Sequence, residues 1–117
     1  MDKLNGAGQA SLAERALDRT RLLEGENPDS LEVEDAVRWT AVYAELIEFK
    51  YSLLAQMRKG LQRLPMEAAH EIRTVDMAII RKQLERYEAC RAFWERRLDN
   101  LALERQVVAA AAGRHQP

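Results

Sequence analysis

Apolar residues recur along this chain at alternating steps of three and four, the spacing that lines one face of an α-helix. The longest such run extends from Ser30 to Leu64. Within it Ala36, Trp39, Tyr43, Leu46, Lys50, Leu53 and Met57 make one seam. Val33, Val37, Thr40, Ala44, Ile47, Tyr51, Leu54 and Leu61 make a second seam beside it. Two adjacent seams give one helix two packing partners. A further seam, Met77, Ile80, Leu84, Tyr87, Arg91, Trp94, Leu98 and Leu101, predicts another long helix over about 66–110. Leu64-Pro65 separates the two, because a residue before proline avoids helical angles while proline suits a first helical position. So short a turn sets the long helices antiparallel.

Ahead of them, Ser11 and Glu14 have the spacing of a capping box. Leu12, Ala13, Ala16, Leu17 and Leu23 then predict a short amphipathic helix over about 11–24, ended by Gly25. The segment GENPD reads as a linker, and Ser30, with Glu32, Glu34 and Asp35 behind it, as the start of the long helix over 30–64. Residues 1–10 are small and polar and read as a flexible N-terminus, and 113–117 as a frayed tail, leaving one helical domain over 11–112. The expected class is all-α: an antiparallel two-helix hairpin of long helices plus a short N-terminal helix. The second seam is covered either by that short helix or by a second copy of the chain, the latter giving a dimeric four-helix bundle.

Composition narrows the function classes. The 117 residues are 47% hydrophobic and 32% charged, a globular balance, with only 5 Gly and 3 Pro to break helices. A formal net charge of -1 supplies no long-range positive field, which disfavours a nucleic-acid partner. No stretch approaches the roughly 20 apolar residues that span a bilayer. The lone Cys90 and an N-terminus without a secretory core fit a cytoplasmic location.

Pairing the helices about Leu64-Pro65 gathers Trp39 and Tyr43 opposite Tyr87, Cys90 and Trp94 at the open end of the hairpin. Such a cluster is either core beneath the first helix or a contact surface. Trp39, Tyr43, Tyr87 and Trp94, with Tyr51 and, on a separate face, Phe49, are the interface candidates. Arg91 falls on the seam between Tyr87 and Trp94, so Arg91 and Arg38 are candidates for an anion or ligand pocket. Lys50 and Asp76, polar at or beside the seams, are a candidate pair for fixing register. Glu67 and His70 have the E-x-x-H spacing of ferritin-like di-iron sites, but a full site needs two such motifs and two more carboxylates, which the register does not bring near. No metal or cofactor is expected.

Charge is segregated along the first long helix. Residues 24–48 carry eight acids and one base, and residues 49–64 carry four bases and no acid. The helix dipole rewards that order, and it also suits pairing of two copies. A phosphate-binding glycine loop, a nucleophile elbow and paired histidines are all missing from the sequence. The expected function is therefore a non-enzymatic protein–protein interaction or regulatory adaptor, acting as a homodimer or on another protein. The alternative is a small-molecule or anion-binding sensor or enzyme with its pocket at the aromatic open end.

Overall fold

A computed structural model describes residue 18 and residues 20–114. Its regular elements are helix α1 (Val33–Leu61), the short helix α2 (Met66–Glu71), a π-helical turn (Ile72–Asp76) and helix α3 (Met77–Arg114). The described residues hold no strand, and α1 and α3 pack together as the two arms of a hairpin. None of their helices is long and apolar enough to cross a membrane.

Helix α1 begins three residues after the start read from Ser30. Glu32 is the N-cap residue, and its carbonyl accepts from the Asp35 and Ala36 N–H groups. The Ser30 hydroxyl instead donates to Asp35 Oδ2 at 2.6 Å and accepts from the Glu32 N–H. Asp35 is thereby held in the first turn, where the dipole favours an acid, and Arg58 and Lys59 sit in the last turn, where it favours a base. The segregated charges of α1 thus have a local cause. The Leu64-Pro65 break lies where the sequence places it: Pro65 caps α2 and its carbonyl accepts from the Ala69 N–H.

The second long helix is not the uninterrupted run expected over 66–110. At Ile72–Asp76 the ladder widens, and the Met77 N–H reaches back to the Ile72 carbonyl. The Thr74 hydroxyl donates to the His70 carbonyl at 2.8 Å, a side-chain bond that competes with the regular ladder and loosens it. The two arms pair about a centre near residue 69, further along the chain than Leu64-Pro65. Tyr51 bonds Glu88, and Leu54 lies against Leu84, so Lys50 faces a stretch of α3 more than three turns beyond Asp76. Asp76 is exposed, and no ion pair joins it to Lys50 among the described residues. The proposed register pair therefore does not form in the hairpin.

One buried stripe runs between the arms. Ala36, Trp39, Tyr43, Ile47 and Leu54 of α1 meet Met77, Ile80, Leu84, Tyr87, Cys90, Phe93, Trp94 and Leu101 of α3. The α1 residues come from both seams, since a straight helix drifts against a seven-residue repeat and moves its contact line from one to the other. Val37 and Tyr51 of the second seam stay exposed. Phe93, which lies on no seam, is only 4% exposed and packs edge-on against Trp94.

The predicted flexible segment 1–10 and most of the predicted first helix lie outside the described residues. Its end, residues 20–24, is not helical. Residues 20–32 form a strap across the hairpin, with Leu22 and Leu23 packed on the core. At the other terminus, α3 continues through Gly113 and Arg114, into the stretch read as a frayed tail. Every residue from 102 to 113 is exposed, so this extension projects past the last core residue, Leu101, and gives the molecule its 77 Å length.

Two glycines test this account. Gly25 has φ +85°, a left-handed conformation, so Gly25→Ala should cost about 1 kcal/mol. Gly60 lies within α1 with open space about its Cα, so Gly60→Ala should stabilise by up to about 1 kcal/mol. Urea unfolding of the two variants checks both signs.

Candidate functional site

The best-defined polar arrangement begins in the segment read as a linker. Leu23 to Glu26 is a β-turn closed by the Glu26 N–H to the Leu23 carbonyl at 3.0 Å, with left-handed Gly25 at its third position. A second turn follows at once. The Ser30 N–H bonds the Asn27 carbonyl, Asn27 Oδ1 accepts from the Asp29 N–H, and Pro28 takes the second position, which its fixed φ suits. Two turns in succession reverse the chain twice and drop the Glu26 side chain between the arms.

Glu26 is 7% exposed, and both its oxygens accept. Oε1 takes the Tyr43 hydroxyl of α1 at 2.7 Å and the Leu23 N–H of its own turn at 3.0 Å. Oε2 takes the Trp94 indole N–H of α3 at 2.8 Å. One carboxyl group thus ties strap, α1 and α3. Tyr43 and Trp94 are fully buried, and their polar atoms have no route to water, so these bonds are needed to bring them into the core at all. Arg97 closes the strap from outside, donating to the Pro28 and Ser30 carbonyls while its guanidinium lies 5.2 Å from the Phe93 ring. Arg86 adds a longer contact to the Arg21 carbonyl at 3.4 Å.

Burial, then the bond to Glu26, push the Tyr43 hydroxyl far above its ordinary value, so it stays a donor. The Cys90 thiol lies against that hydroxyl, and burial pushes it upward too. A thiol kept protonated in the core is a poor nucleophile. Near the middle of the hairpin, exposed Tyr51 donates to Glu88 at 2.9 Å, and that bond raises its hydroxyl.

The remaining candidates scatter. Trp39, Tyr43, Tyr87 and Trp94 are buried within the hairpin, with Tyr43 and Tyr87 rings 6.0 Å apart. Phe49 and Tyr51 are exposed, at 59% and 53%. Arg38 is exposed and stacks on Trp39 at 5.1 Å, while Arg91 is half-buried. At the aromatic open end the Glu26 carboxyl group bridges Tyr43 and Trp94. Glu67 and His70 are exposed, and no three His, Cys, Asp or Glu side chains group for a metal among the described residues.

A hollow of about 380 Å³ lies at the opposite, closed end, between Leu61 and Met77 and bordered by Arg58, Gln62, Arg73 and Arg81. Sequence reading missed both Glu26 and this hollow. No protein-family model, curated protein or solved structure matches the chain.

Replacing Glu26 by Leu leaves the Tyr43 hydroxyl and Trp94 N–H buried without acceptors and should cost roughly 2–4 kcal/mol; urea unfolding measures it. The Tyr43 shift carries its own sign. Its ordinary value is 10.0 and the folded value is higher, so the unfolded chain loses this proton first. Its contribution is intact below pH 10 and falls by up to about 1.4 kcal/mol per pH unit above it. Tyr43→Phe should abolish that slope while lowering stability at neutral pH by about 1–2 kcal/mol.

Proposed function

We propose that this chain is a non-enzymatic protein–protein interaction module that self-associates through the open end of its hairpin. The observation that carries the reading is the extension of α3. Leu103, Val107 and Val108 are 60%, 61% and 67% exposed on a stretch of helix with no neighbouring element among the described residues. Residues 102–114 span about 20 Å at 1.5 Å per residue. An unsupported helix of that length is marginal in water, and tertiary packing is what ordinarily stabilises one. Leu31 and Val37, at 70% and 51% exposed, lie at the same end, enlarging the apolar surface there.

A second copy is the partner that suits this surface. Two open ends meeting head to head place each extension beside the start of the other copy's α1. Arg105 on the extension then meets Glu32, Glu34 and Asp35 at the α1 start, so charge as well as apolar area is complementary. Overlap running past Val37 brings α1 and α3 of both copies side by side as a four-helix bundle. The role of the Glu26 tie is to hold the open end rigid, so that little ordering is required on association.

Light scattering across micromolar to millimolar protein tests the proposal. The native chain should be a dimer, and the Leu103→Glu, Val107→Glu double variant a monomer, since both positions are already exposed in the single hairpin. A native chain that remains monomeric throughout overturns self-association.

A further inference from the structure

The hollow at the closed end has chemistry of its own. Arg58 near the end of α1, Arg73 in the π-helical turn and Arg81 in α3 converge on it from three segments. None of the three has an ion-pair or hydrogen-bond partner among the described residues. Three like charges around one concavity repel one another, and although Arg58 and Arg81 share the adjoining groove with Glu85 and Glu88, no ion pair joins them among the described residues. Acids are near enough in sequence to have done so. Glu67, Glu71 and Asp76 are all exposed around the turn, and Glu85 and Glu88 border the adjoining groove, yet none pairs with these arginines.

Arg73, Met77 and Arg81 stand four residues apart, the spacing that keeps side chains on one helix face, and all three border the hollow. Arg73 lies in the wider turn closed by the Met77 N–H to the Ile72 carbonyl, and π-helical turns of this kind are frequent at functional sites.

We infer that this hollow binds a small soluble phosphate monoester carrying an apolar group. Guanidinium forks match phosphate oxygens in pairs, and three of them supply more positive charge than a phosphate dianion carries negative. Leu61 and Met77 form the apolar floor, and the Gln62 amide adds one neutral polar group at the edge. A volume of about 380 Å³ is that of a small-molecule site. The surrounding carboxylates confine the positive region to the hollow, which favours a compact anion over a long polyanion that would run across them.

Phenyl phosphate is the probe, titrated into the full chain at physiological salt by calorimetry, with the arginine Nε–H signals followed by NMR. Saturable one-site binding is expected, with the Arg58, Arg73 and Arg81 signals shifting. Arg73→Gln and Arg81→Gln should each weaken it at least tenfold. Because the three side chains are exposed and without a partner among the described residues, both variants should unfold at the native temperature or slightly above it. Phenol should not bind, and single-stranded DNA should bind no better than phenyl phosphate. Absence of saturable binding, unaltered affinity in the variants, or a lowered unfolding temperature in them overturns the inference. So does association with phosphatidic-acid vesicles without binding of phenyl phosphate, which would assign the arginines to a membrane headgroup instead.

Discussion

The Glu26 carboxyl group is the constraint on which the open end of this molecule depends. A two-helix hairpin has one interface and little depth, so its core needs something on top to exclude water. Here the cover is a strap without regular structure, and a strap of that kind has no backbone ladder to hold it. Three donors from three segments converge on one side chain and supply the missing anchorage. The arrangement is interdependent: the strap is located by Tyr43 and Trp94, and these residues can be buried only because the strap brings their acceptor. Ion pairing does comparatively little. Among the described residues the one salt bridge is Asp18 to Arg21, an exposed 3.8 Å contact of a type that contributes a few tenths of a kcal/mol at most.

The two ends of the hairpin are consequently different in kind. At the open end polar groups are satisfied internally and the exposed surface is apolar, along the projecting end of α3. At the closed end the arginines are exposed and make no ion pair among the described residues, around a shallow hollow with an apolar floor. Between them α1 and α3 run as long helices, so the two ends are spatially separate on one scaffold.

The fold was largely legible from periodicity. The two long helices, the break at Leu64-Pro65 and the gathering of Trp39, Tyr43, Tyr87 and Trp94 all follow from residue spacing, because helical geometry converts spacing into faces. The candidate site was not. Glu26 lies in a short segment with no period, flanked by Gly25 and Pro28, and such a segment reads only as a turn. A buried acid there leaves no local trace, since its three partners are contributed by Leu23, Tyr43 and Trp94, the last 68 residues away. The one hint was aromatic: Tyr and Trp in a predicted core each carry a polar atom that needs a partner.

By itself, then, the sequence determined the helices, their antiparallel order and the faces they bury, since each follows from contacts within a few residues. Tertiary structure alone decided which part of two adjacent seams became core, and that residues 20–32, whose pattern gives a helix end, a linker and a helix start, form a pinned strap. It also decided the register that parts Asp76 from Lys50 and the hollow that Arg58, Arg73 and Arg81 border together. These outcomes depend on small rotations and shifts of one helix against another. A change of one residue in a helical turn leaves the local pattern almost unaltered, yet it changes which side chains meet across the interface.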